Sequence, residues 1–592
     1  MFTRSRNAVK IIGRSIGTSS RTSSGRHDVG PTGSQYVAAT PLAEELANTG
    51  LYDLRRKKRI GDKRRVHVVE ESVCDDVFSY LGSSLDRHVG CDILDLNPGA
   101  GLWSRKLHER LQPRKHIMVE PELEVYKPFV EDLLAKDNVV AEAVSPFVWT
   151  KLLNVLDTHL SHHPVTPPGA TPERNDELLV TMNLCMYPKR AFANFENIAT
   201  MFVYQFLNSI PKGALFHRYG LVRMLVWMNE EDRTRVLPQV TYYRRQMAFE
   251  QELHHEWVRQ VTGPDKDHLD SFNVRDKWID IESGYQTLQR MEAAGRVPPR
   301  GRAARAYKLA MADRSLMGQE LAGKRPIQFI RPLQSQIEKL GKKVKSNPDK
   351  ANVTKLSIMK RRSELYDERG VMYTELLKEV YAARELAATS PAEFAVRQAE
   401  LQSRIEGMVK NPAQEFLMAY DTMQLFRTDP PTLHWDRREY EPLVVDAKEA
   451  YPNSPMCLID FQPKATHPLL RHTGPGSDHA GDFADAMLAE FFKQRGSSLP
   501  RVLNAIWPGA DEILDTCPTL RNPTLGGNPF TTEDLGIRVR SLNANQWIEI
   551  LQAWMDWPFR PAYSRLVGRL AETTMQDEWD EDGGRKSLDD AA

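Results

Sequence analysis

Two short stretches hold the residues best placed to do chemistry. The first is DILDLNPGAGLWS, residues 92–104, where an apolar run ends near Asp95 and meets Asn97-Pro98-Gly99-Ala100-Gly101. Glycines at a strand-to-helix turn let the main chain approach a ligand closely, and the helix that follows offers N–H groups. About twenty residues further on, Glu120 closes the next apolar run, where a carboxylate can accept hydrogen bonds from ribose hydroxyls. Asp95, Gly99, Gly101 and Glu120 are therefore candidate ligands of a nucleoside-bearing cofactor. The competing reading is a plain tight turn with a surface glutamate. The second stretch is Val180-Thr181-Met182-Asn183-Leu184-Cys185-Met186-Tyr187-Pro188. Asn183 and Tyr187 are its amide and its aromatic ring.

The surrounding patterns define the elements that must position these groups. Across residues 66–260, apolar runs at 92–96, 116–119, 178–182 and 221–228 alternate with helical stretches such as 125–134. That alternation predicts a parallel α/β sheet with right-handed crossovers. Residues 162–175, with four prolines and a glycine, read as a surface loop. From 261 to 410 the strand signals disappear and charged helices take over, as in 364–387. Residues 296–362 carry 18 Lys/Arg against 4 Asp/Glu, a local excess of +14. Arg300, Arg302, Arg305, Lys342, Lys343, Lys345, Lys360, Arg361 and Arg362 belong to it. The stretch reads as a basic helical insertion, either a solvated face or a phosphate-binding surface. Residues 411–570 return to a packed pattern, with an amphipathic helix at 545–557, and 571–592 form an acidic tail of disordered composition.

Composition narrows the setting. The chain has 592 residues, 41% of them hydrophobic, enough for two or three domains or one domain with a large insertion. Lys+Arg and Asp+Glu balance at 79 each, so any nucleic-acid footprint must be local. The five cysteines are scattered without a C-x-x-C pair, which fits a reducing compartment and points to no metal site. No apolar run reaches the ~18 residues that a membrane span needs. Residues 1–27 hold Arg4, Arg6, Lys10, Arg14, Arg21 and Arg26 with no acid, and are rich in Ser and Thr. This is the composition of a mitochondrial transit peptide, with a disordered basic tail as the alternative. Residues 28–65 are a polar lead-in ending in two basic runs, 55–59 and 63–65, that read as solvated surface or phosphate contacts.

Taken together, DILDLNPGAGLWS and HIMVEPELEVYKPFVEDL resemble the mitochondrial transcription factor B family, which shares its fold with rRNA adenine N6-dimethyltransferases. The fungal-type members, specificity factors of the mitochondrial RNA polymerase, are the nearest in pattern. Asp95, Asn97, Pro98, Gly99, Gly101 and Ser104 match the family's first motif, and Tyr126-Lys127 its tyrosine–lysine pair. Ser145-Pro146-Phe147-Val148-Trp149 resembles its Asp-Pro-aromatic-x-Trp segment. Residues 214–228 resemble the stretch after its fourth motif. Glu441-Pro442-Leu443, Tyr451-Pro452 and residues 458–461 resemble its terminal strand. His467-Pro468-Leu469 and Trp507-Pro508-Gly509-Ala510 resemble its C-terminal helical domain. The resemblance spans roughly 36–260 and 411–560 and leaves the insertion unmatched.

The resemblance implies an S-adenosylmethionine-dependent methyltransferase (Rossmann-like) α/β fold, with Asp95, Gly99, Gly101, Glu120, Ser145 and Asn183 around the methyl donor. It also implies a degenerate catalytic motif. Where active enzymes carry Asn-Leu-Pro-Tyr/Phe, Asn183 and Leu184 match, but Cys185 and Met186 replace the proline and the aromatic, and Tyr187 falls one place late. Ser145 stands where the family's adenine-side acid is expected. The donor is then expected to bind weakly or as a vestige, with Asn183 and Tyr187 catalytic only if activity survives. The function implied first is a mitochondrial-matrix transcription initiation factor. It would work with the mitochondrial RNA polymerase on promoter or single-stranded DNA, with Arg218 and Arg223 lining a basic cleft closed by 464–570. The alternative is a dimethyltransferase of the mitochondrial small-subunit rRNA, and a third reading is a structural, RNA-binding protein of the mitoribosome. Tyr187 discriminates, because a ring facing the pocket floor beside Asn183 favours the enzyme.

Overall fold

The computed structural model describes residues 36–52, 64–187, 197–265, 273–330 and 332–572. The transit-peptide stretch, the basic run at 55–59, Pro188 and most of the acidic tail lie outside the described residues. The described part divides into two units, one of residues up to Thr466 and one from His467 onward.

The first unit is built on an eight-stranded sheet. Its strands, numbered along the chain, are β1 (Asp92–Leu96), β2 (Lys115–Val119), β3 (Val139–Glu142), β4 (Arg174–Asn183), β5 (Leu221–Asn229), β6 (His255–Gly263), β7 (Leu443–Val444) and β8 (Met456–Pro463). They lie in the order β7-β6-β8-β5-β4-β1-β2-β3. Strands β1 to β5 pair in parallel, as the alternating pattern predicts, while β8 runs antiparallel between β5 and β6. Strand β1, DILDL, is buried along its whole length because helices cover both faces of a parallel sheet. From β1 the chain steps outward through β2 to β3, then returns to the other side of β1 as β4. The carboxyl ends of β1 and β4 therefore border the switch point where open α/β sheets form their crevice.

Strands β3 and β6 lie outside the apolar runs read from the sequence. Strand β6 alternates polar and apolar residues and begins before the predicted insertion, so the sheet continues to Gly263. The helix expected over 125–134 is broken into Leu123–Tyr126, a 3-10 turn at Lys127–Phe129 and Glu131–Leu134, because Pro128 supplies no N–H. Among the described residues of 273–410 the regular elements are helical apart from one small ribbon, Asn273–Asp276 against Phe329–Ile330. The longest of them, Lys350–Thr389, runs 40 residues, or about 60 Å at 1.5 Å per residue. The second half buries Tyr373, Leu376, Leu377 and Val380, while the basic first half is mostly exposed.

Among its described residues the second unit is helical in its regular elements. Ala480–Lys493, Leu499–Ile506 and Ala544–Asp556 pack around the fully buried Trp547 and Trp554. Asn543 starts the helix Ala544–Asp556 with a capping box to Gln546, satisfying N–H groups that a helix start leaves open. No helix among the described residues is long and apolar enough to cross a membrane.

Candidate cofactor pocket

The crevice at the carboxyl ends of β1 and β4 brings Asp95, the glycine turn and Asn183 together. Asp95 is buried near the end of β1, aligned with Met118 on β2 and Thr181 on β4. Its carboxylate lies 3.4 Å from His116 Nε2. Asn97, Gly99 and Gly101 all take positive φ, of 58°, 61° and 71°, which explains glycine at two of the three. Asn183 ends β4 across the crevice, and Asn97 Nδ2 donates to its carbonyl at 3.5 Å.

The space that these glycines open is taken by the chain itself. A Cβ on Gly99 would stand 2.4 Å from His67 Cε1, and one on Gly101 2.2 Å from Val130 Cγ1. His67 is buried, and its Nδ1 accepts from the Ala100 N–H at 3.2 Å. The proton is then on Nε2, which donates to the Tyr52 hydroxyl at 2.7 Å. Burial, and next the Arg65 guanidinium, lower the His67 pKa to about 3, so the ring is neutral.

Glu120 is equally committed. Its Oε2 accepts from the Arg65 guanidinium and from the Gly99 N–H at 2.9 Å, and its Oε1 accepts from the Glu122 N–H at 2.9 Å. Arg65 and Glu120 are each only 1% exposed, and the guanidinium lies 5.2 Å from the centre of the buried Tyr126 ring. Arg65 is thus not part of a solvated basic run. It occupies the place where a ribose would meet Glu120. Sequence reasoning missed Arg65 and His67 as site residues. The only hint was the buried-type run His67-Val68-Val69 directly behind the cations.

The stretch 183–187 is closed in the same way. Asn183 Nδ2 donates to Val66 O at 2.9 Å, and its Oδ1 accepts from the Cys185 N–H at 2.9 Å. The Val66 N–H donates to Cys185 O at 3.0 Å, and the Tyr187 N–H to Arg64 O at 2.6 Å. An antiparallel bridge pairs Arg65 with Met186, and Asn229 Nδ2 donates to Met186 O at 3.0 Å. Residues 64–66 therefore form a strap over the motif and use its hydrogen-bonding groups. Tyr187 is 46% exposed, and Ser145 is half-buried, its Oγ accepting from the Phe147 N–H at 3.3 Å.

S-adenosylmethionine does not fit these residues as they stand. The cavity left among His67, Asp95, Gly101, Trp103, Asn183 and Trp227 is ≈ 20 Å³, room for about one water, whereas small-molecule pockets run to roughly 300–1,000 Å³. Trp103 helps close it, donating to Thr181 Oγ1 at 2.8 Å and meeting Trp227 edge-on at 5.3 Å.

The predicted nucleic-acid contacts separate into two kinds. Arg223 does not reach the surface: it is buried in β5, with Nε and Nη2 on Asp460 of β8 at 2.8 and 2.7 Å and Nη1 on Ser84 O at 2.6 Å. Placing it in a basic cleft is corrected by that pairing. Arg218 is held at the surface by Asp157 at 2.5 Å and by the Tyr219 hydroxyl. Lys342, Lys343, Lys345, Lys360, Arg361 and Arg362 are all exposed on the insertion helices.

Among the described residues, one cluster has the donor types of a metal site, Asp92, His162 and His163, at the opposite end of β1. Both imidazole Nε2 atoms lie within 2.8 Å of Asp92 Oδ2, but Arg114 also donates twice to that carboxylate, at 3.0 and 2.8 Å. A fixed guanidinium against the central ligand opposes a second cation.

Five parallel strands with an antiparallel strand inserted beside the last define the class as an α/β protein with the Rossmann-like sheet of S-adenosylmethionine-dependent methyltransferases. No family model and no curated protein matches the chain. Among solved structures it is similar to a dimethyladenosine transferase from Plasmodium falciparum, at 9% identity over 82% of this chain and 96% of that chain, with a TM-score of 0.33. It is also similar to the 23S rRNA methyltransferase ErmE, at 14% identity over 33% of this chain and 60% of that chain, with a TM-score of 0.21. The strand order, rather than these scores, carries the assignment of the fold.

Proposed function

We propose that this protein binds nucleic acid without transferring methyl groups, as a mitochondrial-matrix transcription initiation factor built on an rRNA adenine dimethyltransferase-type fold. The observation that carries the loss of methyl transfer is the filled pocket: Arg65 neutralises Glu120 and His67 occupies the glycine turn. The exposure of Tyr187 supports it, because a ring half in solvent does not clamp a base beside Asn183. The exposed cations of the insertion support a sequence-independent grip on phosphates. The assignment to the mitochondrial RNA polymerase, and to promoter or single-stranded DNA, rests on the motif resemblance, and the mitochondrial address on the acid-free N-terminal composition.

The second reading is an rRNA adenine dimethyltransferase whose strap, residues 64–66, leaves the crevice when the donor arrives. Its support is that Asp95, Gly99, Gly101, Glu120 and Asn183 do converge on one crevice. Titrating the full chain with S-adenosylmethionine, beside run-off transcription with the mitochondrial RNA polymerase and methylation of the small-subunit rRNA hairpin, separates the two. The expected result is no binding heat, stimulated transcription, and transcription by Asn183→Ala and Tyr187→Ala that tracks their folded fraction. Methyl transfer by the wild type that vanishes in Asn183→Ala, without transcriptional stimulation, would put the enzyme first.

A further inference from the structure

Away from the filled pocket, the first unit carries an open groove of ≈ 720 Å³ between the turn at 240–243, the helix Lys350–Thr389 and the start of the helix Lys410–Phe426. Its walls are aromatic and cationic together. Tyr242 and Tyr243 project into it 48% and 45% exposed, with ring centres 5.3 Å apart and planes at 81°. Opposite stand Arg362, Tyr366 and Arg369. Arg362 Nε donates to the Tyr366 hydroxyl at 2.8 Å, and the two guanidinium carbons lie 5.6 and 5.8 Å from that ring. Exposed aromatic rings are surfaces on which a flat ligand can stack, and the planar guanidinium groups lie close to an aromatic ring of their own.

The helix that leads into the groove is basic along its first turns. Residues 350–362 contain Lys350, Lys355, Lys360, Arg361 and Arg362 and no acid, and the acids that follow, Glu364, Asp367 and Glu368, do not line the groove. The one lining carboxylate, Glu415, accepts a hydrogen bond from the Tyr373 hydroxyl at 3.0 Å. At the far wall the helix Lys410–Phe426 begins at Val409, which has no side chain able to cap it, so the positive end of that helix faces the same space. Stackable rings, planar cations and a helix start in one groove match an unpaired nucleotide segment, with a flat base and an anionic phosphate in alternation.

We propose that this groove binds single-stranded nucleic acid, its bases stacked on Tyr242 and Tyr243 and its phosphates met by Arg362 and Arg369. The inference rests on the nucleic-acid reading above but concerns a site outside the methyltransferase crevice, one wall of which, Arg362, Tyr366 and Arg369, belongs to the insertion that the family pattern does not match.

The test measures fluorescence polarisation of labelled oligo-uridylate, oligothymidylate and a duplex of equal length with the full chain over a salt series. Tyr242→Ala and Tyr243→Ala should each weaken single-strand binding about 5- to 150-fold, the range for removing one stacking ring, with duplex binding little changed. Tyr242→Phe and Tyr243→Phe should keep it. Arg362→Gln with Arg369→Gln should lower the salt slope by about 1.4, at roughly 0.7 per phosphate for single strands. A 5-iodouridine oligonucleotide should photo-crosslink to Tyr242 or Tyr243, whichever sugar the strand carries. If the wild type binds single strands but the tyrosine-to-alanine variants match it and crosslinks map elsewhere, the groove proposal falls and the nucleic-acid reading stands. If the wild type binds no oligonucleotide, both fall.

Discussion

Replacing Arg65 by methionine tests whether the pocket is closed from within. The change keeps most of the side-chain volume and removes the charge that faces Glu120. Both partners are 1% exposed, and removing one member of a buried pair costs about 3–5 kcal/mol because the other charge is stranded. Here Glu120 keeps the Gly99 and Glu122 N–H groups, and hydrogen bonds to a charged group stabilise by roughly 1.5–3 kcal/mol each. The expected loss therefore sits near the lower end, about 3 kcal/mol. Adding Glu120→Gln removes the stranded charge, so the double variant should be less destabilised than the sum of the singles by at least about 1 kcal/mol. Urea unfolding followed by tryptophan fluorescence measures both quantities. Hydrogen exchange at the Gly99 and Glu122 amides localises the effect to the pocket. A loss below about 1 kcal/mol with no coupling would mean that Arg65 is a solvated cation after all, and the argument from a filled pocket would fail.

Three further outcomes follow from the same structure. Gly99→Ala should destabilise by about 2 kcal/mol or more, since its φ of 61° strains any side chain and the Cβ meets His67 at 2.4 Å; an unchanged urea midpoint would show that His67 is not seated there. Burial lowers the pKa of His67, His217 and His254 to about 3 from 6.5, so below pH 6.5 the unfolded chain binds protons that the folded chain refuses, and stability falls from there toward about pH 3. Each should remove about 2 kcal/mol by pH 5 relative to pH 7, and equal urea midpoints at the two pH values would refute the neutral, buried assignment. Neutralising Lys342, Lys343, Lys345, Lys360, Arg361 and Arg362 together should weaken nucleic-acid binding for all sequences alike and flatten its salt dependence by roughly 0.7 for each phosphate no longer paired with a cation; an unchanged slope would make the insertion a solvated face or a protein-docking arm.

How much was legible depended on how local the determining interactions are. The segment from Asp92 to Ser104 reads correctly as strand, turn and helix because an apolar run, two glycines and a helical pattern lie within one window. Strand β6 was missed because HEWVRQVTG interleaves charged and polar residues, which the flanking β7 and β8 accommodate only once the sheet is assembled. Tyr242 and Tyr243 gave no signal, since two tyrosines in sequence say nothing about the helix Lys350–Thr389 across the groove from them.

By itself the sequence determined the α/β class, the positions of four of the five parallel strands, the glycine turn with Glu120 behind the next strand, and the basic helical insertion. These follow from periodicity, backbone permissiveness and charge density, which act between near neighbours in the chain. Only the tertiary structure decided what the charged groups are for. Arg65 reads as surface until Glu120, 55 residues away, takes it into the pocket, and Arg223 reads as a cleft cation until Asp460, 237 residues away, pairs with it in the sheet. A cation's role is set by whether folding brings it a carboxylate out of water or leaves it in solvent, and no local pattern carries that information.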